Sequence, residues 1–349
     1  MRAWILLGIV AIGAGCSVHS RPAPATWAVA IHGGAGVIER ASMNRETEAA
    51  YRAALSGALE AAAKVLREGR PALDAVESAI RLMEDDPLFN AGRGAVFTAA
   101  GRNELDASIM EGATLNAGAA ASVTRARHPI TLARTVMQKS PHVMLVGDGA
   151  DSFAEQQGLE IVDPSFFFTE RRWQELEKTL KERGDPIPAR PAGAPKPQGA
   201  IIPEIPSEHE FGTVGVVALD SLGNLAAGTS TGGTSGKRWG RVGDSPIIGA
   251  GTYASNQSCA VSGTGVGEFF IRLTVAREIC ALVQYKNFGI QQAADEVIQK
   301  RLTALNGSGG VIVASPKGEI AWSFNTPGMY RASMAADRPA RISIFKDEP

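Results

Sequence analysis

Apolar positions along this chain follow two rhythms. Consecutive apolar runs closed by glycine, such as WAVAIHGGAG (27–36), predict buried strands that run into loops. Stretches where apolar residues recur every three or four positions predict amphipathic helices: RETEAAYRAALSGALEAAAKVLREG (45–69) and PALDAVESAIRLMEDD (71–86), with Pro71 in a first turn. ELDASIM (104–110) and AGAAASV (117–123) read as strands, ITLARTVMQKS (130–140) as a helix and HVMLVGDGA (142–150) as another strand. FTERRWQELEKTLKERG (168–184) has the pattern of a charged surface helix. The rhythm then stops: from Asp185 to Pro206 there are seven prolines and little periodicity, which predicts a loop or disordered linker. It resumes at Thr213, where TVGVVALD (213–220) and NLAAGTSTGG (224–233), joined by SLG, predict a buried hairpin. Helices over about 266–284 and 289–305 and a closing hairpin, GGVIVASPKGEIAWSFNT (309–326), complete the pattern. Strands in both halves with helices between them predict stacked sheets sandwiched by helix layers. There is no internal repeat.

Composition narrows the chemistry. With 44% hydrophobic and 20% charged residues in 349, the chain can bury a large core, and its 39 glycines suit tight turns and close backbone approach. A net charge of −1 offers no basic surface for nucleic acid. Small-molecule or peptide chemistry is the expectation. The first residues stand apart: Arg2, an apolar run from Ala3 to Ile12, and Gly13-Ala14-Gly15-Cys16 have the layout of an export signal too short to span a bilayer. Cys16 after Ala-Gly resembles a bacterial lipobox, although Gly13 stands where that pattern has an aliphatic residue. This predicts a signal peptide over 1–15, lipidation of Cys16, a tether over 16–26 and a periplasmic protein, held at the outer membrane in a Gram-negative cell by acyl chains alone. Cys259 and Cys280 remain. They could pair in an oxidising compartment, but two cysteines specify no framework, and buried thiols are the expectation.

Several motifs can be set aside. GTSTG (228–232) fits the G-x-S-x-G nucleophile elbow and HGGAG (32–36) an oxyanion loop, yet that fold requires the order Ser, acid, His. His19, His32, His128, His142 and His209 all precede Ser230. No H-E-x-x-H, paired-Cys or clustered-His spacing predicts a catalytic metal, and GTGVGE (263–268) lacks the full dinucleotide spacing.

The junction of linker and strand at Gly212-Thr213 suggests a different chemistry. Cleavage of that bond would give Thr213 a free α-amine, whose ordinary pKa of ~7.7–8.0 lets it accept the proton of its own hydroxyl. Gly212 presents no side chain to obstruct attack on its carbonyl. Gly-Thr at a strand start is nevertheless commonplace, and the dipeptide alone does not decide.

The segments around it do. GTVGVVALD, GNLAAGTSTGGTSGKRWGRVGDSPIIGAGTYA and VSGTGVGEFFIR, with HGGAG, FNAGRGAVFT and ELDASIMEG, closely resemble the isoaspartyl peptidase and plant-type L-asparaginase family from about Trp27 to the C-terminal strands. The resemblance implies an α+β fold, the four-layer αββα sandwich of N-terminal-nucleophile hydrolases. It further implies autoproteolysis into an α subunit (27–212, with a flexible linker over 184–210) and a β subunit (213–349), and assembly as (αβ)2. It places the nucleophile at Thr213, a supporting threonine at Thr231 and oxyanion donors at Thr264 and Gly265. Arg241 and Asp244 become the pair that holds a substrate's α-carboxylate and α-ammonium, and Asn90 a polar neighbour of the nucleophile. LMEDDPLFNAGRG resembles the family's sodium loop, with main-chain carbonyls of Met83, Glu84, Asp86, Phe89, Ala91 and Arg93 around a structural Na⁺. No catalytic cofactor is implied. The implied reaction is hydrolysis of β-aspartyl dipeptides and of the L-asparagine side-chain amide, releasing aspartate. The alternatives are a glycosylasparaginase and a non-catalytic lipid-anchored binding protein on the same scaffold.

Overall fold

The computed structural model describes residues 26–195 and 212–348. The signal segment, Cys16, nearly all of the tether, the linker part 196–211, His19 and His209 lie outside the described residues.

From the N-terminus, strand β1 (Ala28–Gly36) leads into helices α1 (Arg45–Arg67) and α2 (Ala72–Asp85). The hairpin β2 (Leu105–Glu111) and β3 (Ala117–Val123) follows, then α3 (Pro129–Lys139), β4 (Met144–Val146), α4 (Gly147–Gln156) and α5 (Glu170–Arg183). Beyond residue 212 come the hairpin β5 (Val214–Leu219) and β6 (Leu225–Thr231), then β7 (Thr252–Ala254) and β8 (Ala260–Gly265). Helices α6 (Gly267–Leu273), α7 (Val275–Lys286) and α8 (Ile290–Asp295) precede the hairpins β9 (Gly309–Ala314)/β10 (Ile320–Phe324) and β11 (Gly328–Ala335)/β12 (Arg338–Phe345).

Eight strands form one sheet in the order β12-β11-β1-β5-β6-β2-β3-β4, and four form a second, β10-β9-β8-β7. The sheets face each other, α1, α2 and α3 cover the outer face of the larger, and α7 and α8 cover the smaller. The result is the expected αββα sandwich.

Strand alternation assigns every side chain to a layer. On β5, Val214, Val216 and Ala218 join the core under α1 and α2, whereas Val217 and Leu219 join the core between the sheets. On β6, Ala226 lies with the outer core and Leu225 and Ala227 with the inner one. Odd-numbered residues of β5 and β6 therefore face the second sheet, and this places Thr213, Thr229 and Thr231 between the layers with Ser230 outside them.

Three sequence expectations are corrected. Of 142–150 only Met144–Val146 is a strand; Gly147 turns at φ 58° and the chain winds into α4. The helix expected over 266–284 breaks at Thr274 (φ 47°, ψ 50°), because the N–H groups of Ala276 and Arg277 bond to the carbonyls of Ala250 and Gly249 instead of a preceding turn. The described part of the expected linker, 185–195, carries no helix or strand; within it Arg190 pairs with Glu170 at 2.7 Å and Ala194 lies against the Phe97–Trp173 cluster. Cys259 and Cys280 are not separate thiols but a disulfide joining the start of β8 to α7. The C-terminal strands β11 and β12 escaped the apolar pattern because Arg331 is buried there. Its guanidinium lies 4.9 Å from the Phe324 ring centre and donates to the Met329 and Phe345 carbonyls.

The disulfide closes a loop with a sequence separation of 21, a constraint worth ~3 kcal/mol of chain entropy in the unfolded state. Reduction, or the double variant C259A/C280A, is expected to lower the melting temperature by roughly 5 °C or more while leaving the far-UV circular dichroism spectrum unchanged.

Candidate active site

The inner face of β5 begins at Thr213, which is buried and donates its hydroxyl to Thr231 Oγ1 at 3.0 Å. Thr231 in turn accepts the Gly233 N–H at 3.0 Å. Immediately before the strand, the Gly212 carbonyl accepts the Asn90 N–H at 3.1 Å. A Cβ on Gly212 would stand 2.7 Å from Asn90 Cβ, so the approach requires glycine. Asn90 is held by its other groups: Oδ1 accepts from Val96 N–H at 3.0 Å, Nδ2 donates to the Gly233 carbonyl at 2.8 Å, and its own carbonyl accepts from Gly232 N–H at 3.1 Å. One asparagine thus ties Gly212 to the turn that carries Thr231.

Behind Thr213 runs a chain of buried hydroxyls. His32 Nδ1 lies 3.0 Å from the Thr213 carbonyl, which can only accept, so Nδ1 carries the proton and Nε2 is bare. Nε2 then accepts from Ser262 Oγ at 2.9 Å; Ser262 is 2.7 Å from Thr229 Oγ1, and Thr252 donates to Thr229 at 2.6 Å. Ser108 ends the chain, 2.8 Å from Thr252 Oγ1 and 2.5 Å from the Ser245 carbonyl. Burial pushes the His32 imidazole down to about 3, against the favourable bond to Thr213, so the ring stays neutral at any working pH. Gly215 makes the room: a Cβ there would stand 1.9 Å from Ser262 Oγ and 2.3 Å from His32 Nε2. The sequence reading considered His32 only as part of a failed hydrolase motif and missed the chain. Its signal was a polar residue at every inner position where β1, β2, β6 and β8 come together.

Thr264, fully buried at the end of β8, accepts the Ala35 N–H at 3.2 Å through Oγ1, which leaves its own proton to be donated elsewhere. Gly265 follows it, and a Cβ there would clash with the Ser308 carbonyl at 2.5 Å.

Arg241 and Asp244 converge on Gly267, whose added Cβ would lie 2.9 Å from Arg241 Nη2 and 3.0 Å from Asp244 Oδ1. Asp244 is buried and its Oδ2 has no hydrogen-bond partner among the described residues. Burial pushes its carboxyl up to about 7, against the pull of its own backbone and of the Arg241 guanidinium. Arg241 makes a two-pronged pair with Glu268, Nε to Oε1 at 2.9 Å and Nη2 to Oε2 at 3.0 Å, a partner that the sequence reading did not identify.

Ser230, the serine of the elbow motif, faces the helix layer and donates to the buried Glu84 Oε1 at 2.6 Å. Glu84 also sits 3.3 Å from His128 Nδ1, and burial holds its carboxyl above the usual range. Strand alternation thereby separates Ser230 from Thr213 and Thr231. In the loop that leaves α2, the Asp86 and Ala91 carbonyls accept from Phe89 and Gly94 N–H groups at 3.3 and 3.1 Å. Added Cβ atoms on Gly92 and Gly94 would lie 2.2 Å from the Glu84 carbonyl oxygen and 2.0 Å from that of Phe89. Met83 and Arg93 belong to the same stretch. Among the described residues, no group of three or more His, Cys, Asp and Glu side chains could hold a metal ion.

A cavity of about 400 Å³ is lined by Asn90 and Gly212 at one side, Gly233, Val266 and Glu268 at another, and Arg183 from α5. Val266 and Glu268 flank Gly267, where Arg241 and Asp244 converge, so the cavity runs from Gly212 to the neighbourhood of that pair.

Comparison with known proteins places this arrangement in context. The family profile described as asparaginase matches residues 25–344. The chain is 49% identical over 321 residues to the isoaspartyl peptidase of Escherichia coli (strain K12), covering 92% of this chain and 96% of that protein. It is 41% identical over 311 residues to the plant-type L-asparaginase of Pyrococcus furiosus (88% and 96% covered) and 42% over 294 residues to the isoaspartyl peptidase/L-asparaginase of Mus musculus (83% and 82%).

The Asp244 carboxyl has a direct stability consequence. Its pKa is raised on folding, so it favours the folded state less and less as pH rises from the ordinary carboxylate range to about 7, beyond which the loss is complete. Asp244→Asn removes that cost, and its melting temperature is expected to exceed that of the wild type at pH 8 by more than at pH 4, as read by scanning calorimetry.

Proposed function

The chain belongs to the asparaginase family, and we propose that it is an isoaspartyl peptidase and L-asparaginase that activates itself by cutting Gly212–Thr213. As a threonine-type amidohydrolase of this family it is an enzyme, which sets aside the inert binding-protein alternative. The observation that carries the substrate reading is the buried Asp244 oxygen without a partner among the described residues, beside Arg241 at Gly267, whose neighbours Val266 and Glu268 line the cavity that reaches Gly212. A carboxylate and a guanidinium side by side fit the α-ammonium and α-carboxylate of a free aspartyl moiety. An aspartate residue within an ordinary peptide chain lacks one or both groups and is rejected.

Activation starts with the Thr213 hydroxyl attacking the Gly212 carbonyl carbon, while the Asn90 N–H stabilises the oxyanion. The C–N bond breaks with its electrons going to the Thr213 nitrogen, which takes a proton, and an ester links Gly212 to Thr213 Oγ1. Water cleaves the ester, releasing the Gly212 carboxylate and a free amine. In catalysis that amine takes the proton from its own hydroxyl, and Oγ1 attacks the β-carbonyl of the substrate. Thr264 hydroxyl and Gly265 N–H hold the developing negative charge, and the amine returns the proton to the departing nitrogen. Water then resolves the acyl ester to aspartate. Thr231 orients the nucleophile, and neutral His32 fixes the strand end through the Thr213 carbonyl. Arg241 and Asp244 fix the β-carbonyl against the nucleophile.

The reading includes export, a lipid anchor at Cys16 and assembly as (αβ)2. The Cys259–Cys280 disulfide supports an oxidising compartment. A structural Na⁺ would be held by carbonyls of the loop over 83–93, and the crowding of the Glu84 and Phe89 carbonyls against glycines supports it. Its effect would be confined to rigidity of the turn that carries Asn90.

Purified protein is expected to release aspartate from β-aspartyl-leucine and L-asparagine and to leave an N-acetylglucosaminyl-asparagine amide intact; the reverse preference would make it a glycosylasparaginase. The pH profile carries a sign. Asp244 must ionise to hold an ammonium and the amine must be neutral to act as a base, so kcat/KM for asparagine is expected to rise with pH through about 7 to 8 and then level. A profile that falls across this range contradicts both assignments.

A further inference from the structure

Helix α5 shows two faces at helical spacing. Trp173, Leu176 and Leu180 pack on Phe97, whereas Arg172, Glu175, Thr179 and Glu182 line the cavity of about 400 Å³ that Gly212 also lines. Arg172 is the buried member of this wall, with only 2% of its surface exposed. Its Nε donates to the Gly94 carbonyl at 2.8 Å and Nη1 to Glu175 Oε2 at 2.8 Å, but Nη2 has no hydrogen-bond partner among the described residues. A buried donor left in this state costs free energy until an acceptor reaches it. Ser235 lines the same cavity, and its buried hydroxyl likewise has no partner among the described residues. Neither residue has a role in the reaction derived above.

We propose that Arg172 and Ser235 form a carboxylate site whose ligand is the chain's own new terminus, the Gly212 carboxylate freed by scission. This rests on the functional reading above. Scission makes a carboxylate and an amine out of one peptide bond, at a place where Thr213 is buried. Left in contact, the two form an ion pair that favours the protonated amine, and a protonated amine cannot take the proton of its own hydroxyl. A guanidinium with a spare donor in the same cavity draws the carboxylate off and gives it a charge-assisted bond instead. The remaining charges around the site do not compete for it. Glu175 is paired with Arg172 itself and Glu268 with Arg241, while Glu182 and Arg183 are exposed to water. Behind Thr213 the neutral His32 adds no charge, and Glu84 bonds Ser230 on the outer face of the sheet. Asp244 and Arg241 are reserved for the substrate.

The test follows kcat/KM for L-asparagine against pH on fully cleaved wild type, Arg172→Gln and Ser235→Ala, with cleavage checked by intact mass. Arg172→Gln is expected to be about tenfold less active than wild type at about pH 7 and to converge on it by about pH 9, where the amine is neutral in both. Ser235→Ala is expected to shift the profile the same way by less. Loss of a neighbouring cation would by itself move the amine in this direction, so a second arm decides. Trimming the α subunit from its C-terminus with a carboxypeptidase, confirmed by mass, is expected to return Arg172→Gln to the wild-type profile and to leave wild type unchanged. A trimmed variant that does not recover overturns the site, as does an unshifted profile. A loss equal at every pH would reveal loosening of the contact between α5 and Gly94 and overturn it too. A rise in KM confined to β-aspartyl dipeptides would make the substrate's carboxylate the ligand and overturn the assignment to Gly212. A wild type that stays uncut or inactive would overturn the functional reading and this inference together, whereas a cut, active wild type beside a variant indifferent to trimming overturns the site alone.

Discussion

The hydrogen bond from the Asn90 N–H to the Gly212 carbonyl is the contact on which the rest of the site depends. It holds the residue before a core strand against the turn that carries Thr231, at a distance only glycine permits. The same contact fixes where β5 begins, which hydroxyl lies on its inner face and which carbonyl that hydroxyl can reach. It also supplies a donor where negative charge would develop if Thr213 attacked that carbonyl. Asn90 thereby links position, polarity and reactivity at one peptide bond.

The second organising feature is the polarity of the space between the sheets. One part of this layer is an ordinary apolar core of Ala30, Val217, Leu225 and Ile312, and another is a run of hydrogen-bonded Ser, Thr and His side chains. In such a dry interior each hydroxyl must be satisfied, and a half-satisfied chain would be costlier than an apolar core. The His32 tautomer fixes the direction of the hydroxyls nearest to it. The chain reaches from the Thr213 carbonyl to the Ser245 carbonyl, next to Asp244, and so connects the start of β5 to the loop that carries Arg241 and Asp244. Asp244 Oδ2 departs from this rule, one of several buried polar atoms without a hydrogen-bond partner among the described residues. That is an unfavourable arrangement for an isolated protein and a suitable one for a site awaiting a cation.

Much of this was legible in the chain because the patterns are local. Consecutive apolar runs marked the central strands, the proline-rich gap marked the boundary before Thr213, and the GRVGDSP segment carried the Arg241–Asp244 spacing. Alternation within GTSTGG was enough to separate Ser230 from Thr231, although the elbow motif was rejected on histidine order instead. What stayed hidden depends on contacts between distant segments. The hydroxyl chain draws single residues from β1, β2, β6, β7 and β8, none of which reads as a motif alone. Glu268 meets Arg241 only because α6 starts beside the loop, and the break at Thr274 arises because the 249–250 carbonyls capture the N–H groups of α7. Buried Arg331 hid the last two strands, since its packing on aromatic rings gives a charged residue a core position.

The central claim is that the free amine of Thr213, liberated by scission before it, is the base for its own hydroxyl. Intact-mass measurement on the purified wild type beside Thr213→Ala tests this most directly. The account predicts two wild-type fragments, the smaller beginning Thr-Val-Gly, and a single unbroken Thr213→Ala chain without amidase activity. A wild-type chain that remains whole while hydrolysing asparagine would contradict it.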